Sequence, residues 1–211
     1  MSERLRLVQG HLCTTLDRCP VGPIRLISMC AGQGRDVMGV LARHRRRADV
    51  RATLVELDDR NVAVASQAAA GAGLDGVDVV GGDAGLTDAY RPSVPADIVL
   101  ACGVFGNITD DDIARTVSGL PSLCAPGATV IWTRHRQAPD LTPSIRTWWA
   151  EAGFVEEAFD GPDRLFIGVG VHRLAVGPRP FVPGRRLFDF VGYDALTSPG
   201  SPASSPPDDA P

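Results

Sequence analysis

The chain contains no lysine: its 21 basic residues are all arginine, against 25 acidic ones, for a formal net charge of -4. With abundant Ala, Gly and Pro, the missing lysine reads as the imprint of a GC-rich genome rather than as chemistry. A negative balance removes the electrostatic case for a nucleic-acid partner, which calls for a basic surface. No C-x-x-C pair occurs. The five cysteines, Cys13, Cys19, Cys30, Cys102 and Cys124, are odd in number and scattered. Neither a zinc site nor a disulfide framework is therefore expected, and no metal is assigned. The segment Met1-Ser2-Glu3-Arg4-Leu5-Arg6 has no apolar signal core, and no apolar run reaches membrane-spanning length. A soluble cytoplasmic protein with reduced thiols and no membrane partner is the expectation. No internal repeat is present.

What is there is ordinary globular material, 44% hydrophobic and 22% charged over 211 residues, enough for one domain with a sizeable core. Leu5, Val8, Leu12 and Leu16 recur at helical spacing ahead of Pro20-Val21-Gly22-Pro23, so residues 1–23 read as an N-terminal helix and linker. Short apolar runs then alternate with helix-like stretches. Strands are expected at Ile24–Met29, Ala52–Leu57, Val77–Val80, Asp97–Cys102 and Ala128–Thr133. Helices are expected from about Arg35 to Arg46, from Asp59 to Ala72, after Thr109 and from Pro143 to Ala152. Thr109 can cap its helix, and Asp110-Asp111-Asp112 suit the positive end of the dipole. The runs at 154–159 and 164–171 are separated only by Asp160-Gly161-Pro162-Asp163, a link too short for a crossover helix, so they form an antiparallel hairpin.

The fold class is thus α/β, a doubly wound, mostly parallel sheet of seven strands ending in that hairpin, over residues 24–176. Residues 177–196, with the Arg- and Phe-rich Phe181–Tyr193, are expected to fold back onto it. From Thr197 to Pro211 the chain is Ser, Pro, Ala and Asp, which cannot bury a core, and a disordered tail is expected.

In such sheets ligands bind beyond the carboxyl ends of the strands, near the point where strand order reverses. The first of those ends carries Cys30-Ala31-Gly32-Gln33-Gly34, small residues that admit a close ligand but that a tight turn also requires. Glu56 ends the second strand about twenty residues later, where an acid can accept both hydroxyls of a ribose. Asp83, in Gly81-Gly82-Asp83-Ala84, follows the third strand and could accept from an adenine amino group, although Gly-Asp is also common turn chemistry. Cys102-Gly103-Val104-Phe105-Gly106-Asn107 follows the fourth, where a transferred group would sit.

In order and spacing these loops resemble the class I S-adenosylmethionine-dependent methyltransferases, a Rossmann-like superfamily, over roughly residues 24 to 174. The family's acid-x-Gly-x-Gly-x-Gly loop is matched by Ser28-Met29-Cys30-Ala31-Gly32-Gln33-Gly34. The resemblance implies S-adenosylmethionine as cofactor, with its methionine part against Cys30, Ala31, Gly32, Gln33 and Gly34. It implies the ribose on Glu56, adenine near Leu57, Asp83 and Ala84, and the transferred group near Cys102 and Gly103. Ser28 stands where an acid is usual and Cys30 where the first glycine is usual. Asp36 is a second candidate for the missing charge, and equally an ordinary helix N-terminal acid.

Direct in-line methyl transfer demands alignment more than a base, and no catalytic residue is assigned. A small-molecule acceptor of the methyl group is the default expectation of the sequence; no Asn-Pro-Pro-Tyr or Asp-Pro-Pro-Tyr follows the fourth strand. Two other readings stay open. A non-catalytic adenosyl-cofactor binder is compatible with Ser28 and Cys30. An NAD(P)-dependent oxidoreductase shares the loop and the acid, but its G-x-G-x-x-G would need glycine at Val37. His135, among Thr133-Arg134-His135-Arg136, reads as a solvated loop residue, and Asn107 as part of a turn. Of Trp148 and Trp149 one is expected in the core. The Arg43-His44-Arg45-Arg46-Arg47 run is expected at a helix C-terminus, where cations are favoured.

Overall fold

A computed structural model of the chain describes residues 3–161, 166–192 and 196. The expected disordered tail, 197–211, lies outside the described residues. So do Pro162 and Asp163 of the hairpin link and the first two residues of its expected second strand, Arg164 and Leu165.

Strands β1 (Ile24–Met29), β2 (Val50–Glu56), β3 (Val77–Gly81), β4 (Ala96–Ala101), β5 (Cys124–His135), β6 (Phe154–Asp160) and β7 (Ile167–Leu174) make one sheet in the order β3-β2-β1-β4-β5-β7-β6. The first five run parallel, and β7 lies antiparallel between β5 and β6. This is the doubly wound, mostly parallel sheet with a closing hairpin that the apolar runs predict. Strand order reverses at β1, which pairs with β2 on one side and β4 on the other.

Alternation along the strands divides the core between two faces. On one face Leu26, Leu54, Ile98 and Leu100 meet helices α1 (Glu3–Arg18), α2 (Arg35–Leu41) and α3 (Asp59–Gly71), through Val8, Leu12 and Leu16, Val37 and Leu41, and Ala65 and Ala69. On the other, Ile27, Met29, Val55 and Val99 meet α4 (Asp110–Gly119) and α5 (Thr142–Glu151), through Ile113, Val117, Ile145 and Trp149. Leu187 and Phe188, beyond β7, are buried on this second face. Of the tryptophan pair, Trp149 is the buried member and Trp148 is half-buried. The Thr109 hydroxyl accepts from Asp112 N at 3.2 Å and caps α4. Asp58 does the same for α3 through Arg60 N and Asn61 N.

One helix is shorter than its pattern predicts. α2 ends at Leu41 rather than near Arg46, because the arginines that would extend it have partners elsewhere. Arg45 donates twice to Asp17 of α1. Arg46 donates to the carbonyls of Cys19, Pro20 and Gly22 at 2.6, 2.9 and 2.9 Å, holding the chain where it leaves α1. Arg47 reaches the carbonyls of Ala72 and Gly73 past the end of α3 at 2.6 and 2.7 Å. Arg46 and Arg47 thus serve carbonyls just beyond α1 and α3, and Arg47 Nη1 also donates to Ala42 O, the C-cap of α2, at 3.2 Å.

Candidate functional site

The chain leaves β1 through a turn that only a left-handed backbone can make. Cys30, Gly32 and Gly34 have φ of +47°, +56° and +68°. At Gly34 a Cβ would fall 2.8 Å from Met38 Cε and 2.9 Å from Leu54 Cδ2, so both backbone angle and packing require glycine there. At Gly32 the same Cβ would meet nothing within 4 Å, which leaves open space against the loop. Cys30 carries a side chain in a conformation that costs an L-residue roughly 1–2 kcal/mol. Burial, and then the negative charges of Glu56 and Asp83, push its thiol up to about 12.

Glu56 ends β2 and closes this turn from the neighbouring strand. Its Oε2 accepts Gly32 N at 2.7 Å and its Oε1 accepts Asp58 N at 3.0 Å. An ionised carboxylate offers about four lone-pair positions, so two backbone bonds leave it able to accept more. It lines a cavity of about 510 Å³ at the carboxyl ends of β1 to β4, with Cys30, Leu57, Asp58, Asn61, Asp83, Ala84, Gly103, Phe188 and Phe190. The size lies within the range of small-molecule sites.

Of the residues singled out by sequence, Cys30, Glu56, Leu57, Asp83, Ala84 and Gly103 come together on this cavity. Ala31, Gly32, Gln33, Gly34 and Cys102 do not line it. Gly34 serves the turn, Gln33 accepts from Arg35, and the Cys102 thiol is buried against Ile131 O. Four lining residues escaped sequence reasoning. Asp58 and Asn61 open α3, and the only local signal was the cap chemistry of Asp58. Phe188 and Phe190 come from the C-terminal stretch, where Leu-Phe-Asp-Phe-Val alternates weakly, like extended chain.

Asp83 has partners that the sequence does not suggest. Its Oδ1 accepts Gly85 N at 2.8 Å and its Oδ2 meets Arg186 Nη1 at 2.6 Å. Asp36 begins α2 away from the cavity, with Arg4 at 4.0 Å, and burial raises its carboxyl. Ser28 is buried within β1. Asn107 donates to Gly103 O at 2.6 Å, bracing the turn after β4. His135 is not a loop residue: it ends β5, half-buried, and burial followed by the Arg134 charge lowers its proton affinity. Arg134 donates to Phe105 O, and Arg136 to Gly161 O and Asp140. These arginines brace neighbouring loops.

Among the described residues one group, Cys13, Asp17 and His44, brings three potential metal ligands together. His44 Nδ1 accepts Arg46 N at 3.2 Å, which puts the ring proton on Nε2, 3.5 Å from Asp17. A protonated nitrogen cannot ligate, and Arg45 already compensates Asp17. Asp17 ties α1 to the chain beyond α2 through Arg45 and the nearby His44.

The profile of a family described as "Putative methyltransferase" matches residues 8–149. No curated protein matches the sequence. Among solved structures the fold is similar to an O-methyltransferase family protein from Burkholderia thailandensis, at 16% identity and a TM-score of 0.62, over 82% of this chain and 57% of that one. It is similar to magnesium protoporphyrin IX methyltransferase from Synechocystis PCC 6803 with bound SAM (14%, TM-score 0.63), over 81% and 78% of the two chains. It is also similar to the 1,6-didemethyltoxoflavin-N1-methyltransferase of Burkholderia thailandensis, with bound 1,6-didemethyltoxoflavin and S-adenosylhomocysteine (16%, TM-score 0.65), over 82% and 79%. The chain spans little more than half the length of the first of these, 57%. At such identities the structures speak to fold alone. The profile match carries more, because it covers more than half of the sequence and includes every strand from β1 to β5. The chain belongs to this methyltransferase family.

Proposed function

We propose that the chain binds S-adenosylmethionine in the cavity at the β1–β4 crevice and transfers its methyl group to a small-molecule acceptor. The observation that carries this reading is Glu56: an acid at the end of β2, bonded to Gly32 N at 2.7 Å, on a ligand-sized cavity where strand order reverses. The residues fit the group. Glu56 keeps lone pairs for the ribose hydroxyls, and the cavity reaches the loop at Cys30. The Leu57 and Ala84 side of the cavity offers apolar surface for the base.

When bound, such a cofactor supplies a methyl group activated by a sulfonium. The chain's own task is alignment and exclusion of water. The turn at Gly103, braced by Asn107 and lining the cavity, borders the space an acceptor must enter. A base is optional for this chemistry. Two of the similar structures bear on the acceptor class, since the names they carry are those of enzymes acting on small ring compounds, magnesium protoporphyrin IX and 1,6-didemethyltoxoflavin.

The test is a calorimetric titration of S-adenosylhomocysteine into the wild-type chain, Glu56→Gln and Glu56→Ala, with NADH as the competing ligand. Binding to the wild type is expected. Loss of a doubly hydrogen-bonded carboxylate should weaken it tenfold or more in Glu56→Ala, and NADH should give no heat. A wild type that binds NADH and not S-adenosylhomocysteine would falsify the reading. Labelled cofactor with a panel of small hydroxyl, amine and ring-nitrogen acceptors then identifies the substrate.

A further inference from the structure

The stretch Arg185–Gly192 crosses the ends of β3 and β4 as a strap pinned at both ends. Arg186 forms an isolated antiparallel bridge with Leu86, and Leu187 N donates to Gly85 O at 2.8 Å. The chain passes so close to Gly85 that a Cβ there would lie 2.2 Å from Phe188 O. Leu187 and Phe188 are buried in the core, and Asp189 N donates to Asp112 Oδ2 at 3.1 Å. Farther on, Val191 N and Gly192 N both donate to Asn107 O, at 2.9 and 3.0 Å. The backbone is therefore held on either side of Phe190.

Phe190 is not buried there. It is 54% exposed and lines the cavity, as does Leu57, 69% exposed, from the end of β2. Single exposed apolar residues are ordinary, but two from distant parts of the chain on one cavity make an unpartnered apolar surface. One polar group on the cavity is already engaged. The Asp83 carboxylate is compensated by Arg186, which also lies 3.3 Å from Asp189. Besides the polar groups of Glu56, Asp58 and Asn61, the cavity thus offers a ligand a pair of apolar faces. That combination suits a flat, weakly polar ring.

We infer that Phe190, held by the strap, stacks with Leu57 on the adenine ring of the cofactor and determines how tightly the base is held. The inference rests on the cofactor reading above and assigns a residue to it that lies beyond the β-strand loops. Arg186 and Asp83 act as positioning residues, fixing the strap to the loop after β3.

S-adenosylhomocysteine binding to Phe190→Ala and Phe190→Trp tests this, with calorimetry, tryptophan emission and thermal melting read on each. Aromatic–base stacking predicts a loss of about tenfold in affinity for Phe190→Ala. Because the side chain is half-exposed, the melting temperature should not move. Phe190→Trp should bind within about threefold of wild type, and its added indole emission should change on saturation. Equal affinity of wild type and Phe190→Ala overturns the inference and leaves the cofactor reading intact. A weaker Phe190→Ala with no emission change in Phe190→Trp also overturns it, placing the effect away from the ring. A wild type that does not bind S-adenosylhomocysteine overturns both.

Discussion

Cys30 shows how one residue departs from a motif and keeps its geometry. It holds the left-handed backbone that glycine would hold without strain, and it lines the same cavity as Glu56 and Asp83. Alkylation proceeds through the thiolate. With Cys30 and Cys124 each pushed up to about 12, and burial raising Cys102 as well, native protein at pH 8 should leave these three unmodified by iodoacetamide. Denatured protein should label throughout, which peptide mass spectrometry can follow; rapid native labelling of Cys30 would contradict its placement. At this scale Glu56 and Asp83 could be picked out by their place at or just after strand ends, whereas Leu57 and Ala84 came only from the family resemblance. Phe190 came from neither. No local pattern announces that a residue more than a hundred positions away will close the same cavity.

At the scale of elements, the arginine run decides where α2 stops. Like charges crowded within a turn or two disfavour a helix only by tenths of a kcal/mol each. Charge-assisted bonds to carbonyls contribute more, about 1.5–3 kcal/mol each when buried. Arg46 makes three of these to the chain leaving α1, with its side chain largely buried, and pairs with Asp49 at 2.9 Å. Arg46→Ala should lower the free energy of unfolding by about 2–3 kcal/mol, as measured by urea denaturation. Arg46→Lys should recover little of it, because a point charge cannot serve carbonyls on several sides as a planar fork does. Predicting α2 to about Arg46 from sequence was an error of partner choice. The C-terminal preference for cations was read correctly, but which helix ends they serve depends on what α1 and α3 bring near.

At the scale of the whole molecule, the second face of the sheet holds an aromatic cluster that joins α5 to the hairpin. Trp132 Nε1 donates to His172 Nδ1 at 3.1 Å, and Trp149 stacks on the same imidazole at 5.4 Å between centroids. Gly170 makes room, since a Cβ there would lie 2.3 Å from the Trp132 ring. Burial, only partly opposed by Glu156, lowers His172 to about 4. The unfolded chain takes up this proton near pH 6.5, whereas the folded one does not until about 4. Between those values the unfolded state holds more protons, so stability is full above 6.5 and falls as pH drops through that window. Urea unfolding at pH 7 and pH 5 should differ by about 2 kcal/mol. His172→Gln should remove most of the difference, with the lowered His135 acting in the same direction and the raised Asp36 in the opposite one; an undiminished difference would sink the assignment. The alternation of strands and helices, the direction of the sheet and the acid at the end of β2 could be read from the residues alone, because these follow from periodicity and short-range spacing. Where the arginines spend their hydrogen bonds, the pairing of Arg186 with Asp83 and the C-terminal strap along the cavity emerge only in the folded chain. Those outcomes depend on which distant backbone groups the folded sheet leaves in need of a partner.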